Sequence, residues 1–188
     1  MKNTKLITMI EGAIIAGVCV ALSFIPLNTA NASFDLSLGL IPLGVYALRR
    51  GALPGMAVGF VWGILLIVLG KAYILTIPQV LIEYPVAFAF GGFGGVLAGL
   101  LRRELAAERP GAAMRTVVFA GGLADAARWF FHFWAGFIFW GSYAPEGVSP
   151  FVFSLFFNGI SAAANAVMLA VVLPILFRAA RPLFSPDS

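Results

Sequence analysis

Charged side chains are scarce in this sequence. Asp, Glu, Lys and Arg make up 11% of the 188 residues, whereas about a quarter of the residues in soluble domains are charged. Hydrophobic residues make up 61%, and the mean hydropathy is +0.99. This composition argues against a soluble protein and indicates a membrane protein, and the length suits one helical bundle rather than two domains.

Residues and motifs that indicate disulfides, ATP hydrolysis or metal sites are also few or missing. The sequence has one cysteine, one histidine and no glycine-rich phosphate loop ending in Lys-Ser or Lys-Thr. Cys19 therefore has no partner for an intrachain disulfide, and the missing loop argues against ATP hydrolysis by the usual route. Paired-histidine and cysteine-cluster zinc motifs are missing as well. We expect a protein that is not an enzyme and that uses neither a metal nor a cofactor.

Six hydrophobic segments cover most of the chain. They span residues 6–25, 36–48, 52–69, 77–101, 114–140 and 150–177. A segment immersed in lipid must satisfy its own backbone polar groups, so it is a helix or part of a closed barrel. These runs are too long and too continuously apolar for barrel strands of about 10 residues. The sequence therefore predicts an all-α, integral membrane bundle of six transmembrane helices, with residues 1–188 as a single domain.

Basic residues predict how the helices are oriented. Ten of them fall on one side of a six-helix arrangement: Lys2, Lys5, Arg49, Arg50, Arg102, Arg103, Arg109, Arg115, Arg178 and Arg181. Only Lys71 falls on the other side. The positive-inside rule then places both termini in the cytoplasm. The predicted outer loops are 26–35, 70–76 and 141–149, and 102–115 is a charged inner loop. The net charge of +4 thus reflects topology in the lipid bilayer, and we expect no nucleic-acid partner.

A carboxylate lies inside segment four. Glu83 and Tyr84 stand near its outer end, and Gln79 lies one helical turn before Glu83, on the same face. A carboxylate at this depth is costly unless it meets a cation or hydrogen-bond donors. Glu83 is therefore a candidate anchor for an amine or amidine-like ligand group. The alternative is an ion pair with Arg128 or Lys71.

Segment five carries the densest group of polar and aromatic residues. His132, Gly136 and Trp140 recur every four residues and span about 80° of helix arc, so they share a face with Arg128 one turn earlier. Gly136 would let a flat ligand approach the backbone, and Trp140 would either stack on a cationic ring or belong to the interfacial aromatic belt. His132 is either a ligand contact or a hydrogen-bonded structural residue. Asp125 and Arg128 lie three residues apart, so one interpretation is that they neutralise each other.

Other candidates are scattered over the remaining segments. Asn158 in segment six either reads the edge of a heterocycle or bonds between helices. An aromatic cage could include Trp62, Phe34, Phe139, Tyr143 and Phe153. In segment one, small residues recur every four positions at Ala13, Gly17 and Ala21. Such a face suits close helix packing, either within this bundle or on a separate membrane subunit.

A set of short strings, in this order, resembles a known family. The strings are Leu48-Arg49-Arg50-Gly51, Trp62-Gly63-Ile64-Leu65, Ala72-Tyr73-Ile74-Leu75, Glu83-Tyr84, Phe130-Phe131-His132-Phe133, Gly136, Phe139-Trp140, Tyr143-Ala144 and Asn158-Gly159-Ile160-Ser161. The family is that of the thiamine-specific substrate-binding subunits (ThiT), the S components of energy-coupling factor transporters. The likeness runs from segment one to segment six.

The resemblance implies an S component that binds thiamine near the outer face of a prokaryotic cell membrane. It implies that Glu83 bonds the aminopyrimidine, and that Trp140 and His132 flank the thiazolium ring. It also implies the remaining positions: Tyr84, Gly136 and Asn158 line the site, Trp62 packs at its floor, Tyr73 reaches the hydroxyethyl end, and Arg128 replaces a family lysine near the phosphate of phosphorylated thiamine. The Ala13 and Gly17 face would dock on a transmembrane coupling subunit that joins two ATPases.

Three positions depart from the family pattern. Phe34 is the nearest aromatic to a tryptophan usual in the first outer loop, and it takes that place as a candidate site residue. Phe153 replaces a tyrosine, and a second tryptophan of the last outer loop is lost around Pro145. A lost buried hydrogen bond costs about 1–3 kcal/mol, so these changes bear on affinity and loop closure.

Other functions remain open from the residues. Within the same class, the ligand could be a thiamine precursor such as a hydroxymethylpyrimidine, or another vitamin; a precursor would keep Glu83 but need less from Trp140. From other classes, an intramembrane enzyme would use His132 with Asp125 or Glu83, and a channel or secondary carrier would transport without partners.

Overall fold

A computed structural model describes residues 4–27 and 34–185, and these form six helices. We number them α1 to α6 in chain order. Their bounds are Thr4–Leu22, Leu40–Arg50, Ala52–Val68, Ile77–Ala106, Pro110–Phe139 and Pro150–Ala179. Short 3₁₀ turns follow α5 at Gly141–Tyr143 and α6 at Arg181–Phe184. The predicted all-helical bundle of six helices is confirmed.

The prediction of an inner loop over residues 102–115 was wrong. α4 continues to Ala106 and α5 begins at Pro110, so three residues connect them. Charged residues here extend both helices rather than interrupt them. Pro110 suits the first helical turn, because a backbone N–H at that position would have no partner within the helix and proline has none to leave unbonded. The second helix also begins later than the predicted segment 36–48, since α2 begins at Leu40. Most of the outer loop predicted at 26–35, and Lys2, lie outside the described residues.

Not every helix is uniformly apolar. Among the described residues, α1, α4 and α6 are long and apolar enough to cross a membrane, and α3 is a shorter apolar helix. α5 has 30 residues, yet it buries Asp125 and Arg128. Charged groups inside a membrane helix face a partner or a polar cavity. The polar face of α5 therefore points to where a site should lie.

α4 is irregular where it carries Glu83. Its first turn, Ile77–Leu81, is capped by the Thr76 hydroxyl, which accepts from the Gln79 N–H at 3.2 Å. A π-helical turn follows at Ile82–Val86, with Pro85 inside it. Proline has no N–H to continue the α-helical ladder, and such π turns frequently occur at functional sites.

Deeply buried apolar side chains lie at the end of the bundle that carries Arg49 and Arg50, which we call the arginine end. Its core comprises Leu43, Leu48, Leu101, Val117, Leu173 and Phe177. Glu11 of α1 holds α2 through Arg50, with N–O distances of 2.5 and 2.7 Å, and through Arg49. Arg49 also donates to the carbonyls of Pro182 and Ser185, after α6. These contacts close the arginine end of the bundle.

Candidate ligand-binding site

A cavity of about 660 Å³ lies at the end opposite the arginines. This volume suits a small organic ligand. Its walls come from the end of α3, the π turn of α4, the later half of α5, the early half of α6 and residues flanking the first outer loop. The polar and aromatic lining residues are Ser23, Phe24, Asp35, Ser37, Trp62, Lys71, Tyr73, Glu83, Tyr84, Phe88, Asp125, Arg128, Trp129, His132, Trp140, Tyr143, Phe153, Ser154, Phe157, Asn158 and Ser161.

Glu83 reaches the cavity without a cationic partner in the described part of the chain. Its Oε1 accepts from the indole Nε1 of Trp140 at 2.7 Å, and its Oε2 accepts from the Gln79 amide. The alternative ion pair with Arg128 or Lys71 does not form. Arg128 pairs with Asp35 at 3.2 Å, and the Lys71 ammonium lies 4.4 Å from the centroid of the Phe24 ring. The carboxylate is therefore available to a donor-bearing ligand.

Two groups of aromatic rings form a wall beside Glu83. Tyr84 stacks on Phe88, with ring centroids 5.7 Å apart, and Phe88 meets His132 edge-on at 6.1 Å. At the mouth, the Trp140 and Tyr143 rings lie 5.4 Å apart. Such a wall offers faces to a flat ring and attracts a cation through the ring quadrupoles.

The face of α5 that lines the cavity carries unsatisfied polar atoms. Arg128 Nε, Trp129 Nε1 and His132 Nε2 are buried and have no hydrogen-bond partner among residues 4–27 and 34–185. Asp125 is 3% exposed, and no hydrogen bond or ion pair to it occurs within the described ranges. Buried polar atoms without partners are rare in proteins. This face of α5 can therefore form further hydrogen bonds.

The proposed neutralisation of Asp125 by Arg128 is not what the structure shows. Arg128 Nη2 instead contacts Asp35 Oδ2 at 3.2 Å and Ser37 Oγ at 3.0 Å. Asn165 of α6 is fully buried; it accepts from Ser37 N at 2.9 Å and donates to Asp35 O at 3.0 Å. The far end of the first outer loop is thereby fixed to α5 and α6, and Arg128 is one of the residues that fix it.

Asn158 does not form the predicted bond between helices among the described residues. Its Nδ2 donates to Ser154 O and Ser154 Oγ, both at 3.1 Å, within α6. Its Oδ1 has no hydrogen-bond partner among the described residues, and Asn158 lines the cavity, so a contact to a heterocycle stays a prediction. A Cβ at Gly136 would lie 2.7 Å from Asn158 Nδ2. Gly136 thus admits side chains of α6 against the α5 backbone, rather than leaving that space to a ligand.

Nine of the ten predicted site residues line one cavity: Glu83, Tyr84, His132, Trp140, Asn158, Gly136, Tyr73, Trp62 and Arg128. Phe34 is half-buried and does not line the cavity. Trp62, 1% exposed, lies at an inner wall and donates to Ser23 Oγ at 3.0 Å. The part each residue plays toward a ligand stays a prediction.

Sequence reasoning missed Asp35, Ser37, Ser154 and Ser161. One signal was present for α6, because polar residues recur at Ser154, Asn158, Ser161 and Asn165, with spacings of four, three and four. That pattern puts all four on one helix face. For Asp35 and Ser37 no spacing signal to the site existed, because their partners on α5 and α6 lie more than 90 residues away along the chain.

The small-residue stripe of α1 is exposed. Ala13, Gly17 and Ala21 all face outward, and a Cβ at Gly17 would meet nothing within 4 Å. Packing of this stripe inside the bundle, one of the two alternatives, is therefore excluded for the described residues.

Comparisons with known proteins agree with one another. A family model described as "Thiamine transporter protein (Thia_YuaJ)" matches residues 9–185. The chain is 38% identical to the thiamine transporter ThiT of Lacticaseibacillus paracasei, over 97% of this chain and 92% of that protein. It is 28% identical to ThiT of Bacillus subtilis, over 99% and 98%. A solved structure of ThiT from Listeria monocytogenes superposes with a TM-score of 0.92 at 40% identity, covering 98% of this chain and all of that one.

Proposed function

Because this chain belongs to the thiamine transporter protein family, we propose that it is the high-affinity, thiamine-binding S component of an energy-coupling factor importer. It binds its ligand without chemical change, and partner subunits supply ATP hydrolysis. The observation that carries this proposal concerns Glu83, a carboxylate that faces a cavity rich in aromatic residues and, among the residues that the structure describes, accepts hydrogen bonds from two neutral donors.

The chemistry of the cavity suits thiamine. Its aminopyrimidine presents an exocyclic amine that can donate to Glu83, and its thiazolium is a flat cation suited to aromatic faces. Asn158 Oδ1 and the unsatisfied His132 Nε2 offer further polar contacts. Among the lining residues, three carboxylates (Asp35, Glu83 and Asp125) outnumber the cations Arg128 and Lys71. This balance favours a cationic ligand.

The orientation follows from the same proposal. The arginine end lies in the cytoplasm together with both termini, and the cavity opens to the outside of the cell membrane. Thiamine then enters from outside and is released only after the subunit reorients. The compact core of the arginine end supports this arrangement, because it closes the inner side of the bundle.

We propose that partner subunits supply ATP hydrolysis, since the sequence contains no glycine-rich phosphate loop that ends in Lys-Ser or Lys-Thr. We propose that Ala13, Gly17 and Ala21 contact a transmembrane coupling subunit, which joins two ATPases. The exposure of all three residues on α1 supports this role. Small residues let another helix approach closely in lipid, where van der Waals packing rather than hydrophobicity holds helices together.

Gly17→Leu should therefore abolish thiamine uptake and leave thiamine affinity unchanged. The leucine enlarges the exposed docking face of α1, because Gly17 faces outward and nothing lies within 4 Å of the added Cβ. Uptake is measured in proteoliposomes with the assembled transporter, and affinity is measured on the isolated subunit. Gly122→Leu on α5 is the matched control, since it is also free of neighbours. Equal uptake by the two variants would contradict the docking role.

The test of ligand identity is a titration of the purified protein, followed by tryptophan fluorescence. We expect saturable quenching at submicromolar thiamine, because Trp140 and Trp129 line the cavity. The neutral hydroxymethylpyrimidine half should bind at least tenfold more weakly, because it lacks the cationic ring. If the pyrimidine bound as tightly as thiamine, the ligand would be a precursor instead.

A further inference from the structure

Gln79 is buried behind the cavity wall and does not line the cavity. Its side chain is 0% exposed, and it lies one helical turn before Glu83 on α4. It makes three hydrogen bonds with its side-chain amide: Oε1 accepts from Leu75 N at 2.8 Å, and Nε2 donates to Tyr73 O at 3.1 Å and to Glu83 Oε2. One amide thus joins the carboxylate to the connection between α3 and α4.

The orientation of this amide is determined by its partners. An amide nitrogen only donates and an amide oxygen only accepts. A flipped Gln79 would set its oxygen against two acceptors, Tyr73 O and Glu83 Oε2, and its nitrogen against the Leu75 N–H. Both N–H donors are in use, so the side chain has no spare donor for another partner.

Glu83 is correspondingly held from two sides. Gln79 donates to Oε2, and Trp140 Nε1 donates to Oε1 at 2.7 Å. Two fixed donors, one on α4 and one directly after the end of α5, set the plane of the carboxylate. Its remaining lone pairs face the cavity, where they can accept from a ligand. Because indole and amide N–H groups cannot accept, both oxygens of Glu83 act as acceptors in this arrangement.

The same amide fixes part of the cavity wall. Tyr73 lines the cavity, and its backbone is held by Gln79 at the carbonyl and by Tyr84 at the N–H, where Tyr73 N donates to Tyr84 Oη at 2.8 Å. A change at Gln79 would therefore release the Glu83 carboxylate and the Tyr73 segment together.

We propose that Gln79 is a positioning residue for ligand binding, which acts through Glu83 and sets the carboxylate plane without touching the ligand. This inference rests on the proposed thiamine function. It predicts that the benefit of Gln79 depends on the charge of Glu83, because a neutral amide at position 83 would not hold the ligand through the same charge-assisted bonds.

A double-mutant cycle tests this dependence. Gln79→Met keeps the approximate volume and removes both donors, and thiamine Kd is measured for the wild type, Gln79→Met, Glu83→Gln and the double variant. We expect Gln79→Met to raise Kd about tenfold in the wild-type background and less than about twofold beside Glu83→Gln. Gln79→Asn, which keeps an amide but is one methylene shorter, should behave like Gln79→Met and serves if that variant does not fold.

The outcomes separate this inference from the proposed function. Equal losses in the two backgrounds would overturn it, because they would show that Gln79 only stabilises the fold; an unchanged Kd in Gln79→Met would also overturn it. If wild-type protein failed to bind thiamine, the proposed function would fall, and the inference with it.

Discussion

Glu83→Gln should weaken thiamine binding by about 10- to 100-fold while leaving the fold intact. The change keeps the size of the side chain and removes its charge, and hydrogen bonds to a charged group contribute about 1.5–3 kcal/mol. The amide also replaces one acceptor oxygen with a donor, which would oppose the N–H of either Gln79 or Trp140. The loss of affinity therefore has two causes: the contact of residue 83 with the ligand is weaker, and its hydrogen bonds with Gln79 and Trp140 are disturbed.

The measurement is a fluorescence titration with thiamine, together with a melting temperature in detergent. Glu146→Gln is the matched control, because Glu146 is exposed in the last outer loop and does not line the cavity. It should bind like the wild type. If both variants bound alike, Glu83 would not be the anchor, and the ligand would be held by the aromatic wall alone.

The sequence predicted contacts within a helix better than contacts between helices. Gln79 and Glu83 lie four residues apart and do meet, because residues at this spacing share a helix face. The bond between Trp140 and Glu83 joins residues 57 positions apart. Periodicity places each of them on a face, but the way the helices pack decides which faces meet. Arg128 shows the same limit. The sequence offered Asp125, three residues away, as its partner, but the ion pair forms with Asp35.

Helix ends were predicted less well than helix positions, for a related reason. All six apolar runs became helices, because lipid excludes other backbone structures from long apolar segments. Charge at 102–115 was interpreted as a loop, although Arg and Glu are good helix formers and a helix can extend beyond the lipid. The only sequence signal for the π turn at Ile82–Val86 was Pro85. A proline inside an apolar run marks an irregularity, but not which irregularity.

Gly63→Ala should lower both the melting temperature and the affinity for thiamine. A Cβ at Gly63 of α3 would lie 2.5 Å from the carbonyl carbon and oxygen of Tyr84 and 2.8 Å from Pro85 N. These are backbone atoms of the π turn that carries Glu83, so no flexible side chain can move aside. Overpacking of this kind typically costs about 1–3 kcal/mol, and the turn must shift away from α3.

Gly122→Ala on α5 is the control for this prediction, because a Cβ there meets nothing within 4 Å. Alanine in a helix interior is favoured over glycine by about 0.5–1 kcal/mol, so its melting temperature should stay equal or rise. Equal melting temperatures for the two alanine variants would show that α3 and α4 are not packed as closely as described.

Affinity distinguishes Gly63→Ala from a simple loss of stability. Glu83→Gln should reduce binding with little change in the ligand-free melting temperature, whereas Gly63→Ala should change both, because one glycine supports the turn and the carboxylate on it. Ligand stabilises a folded protein by RT ln(1 + [L]/Kd). A fixed thiamine concentration should therefore raise the melting temperature of Gly63→Ala less than that of the wild type. An equal rise would mean that the π turn absorbs the added methyl group without moving Glu83.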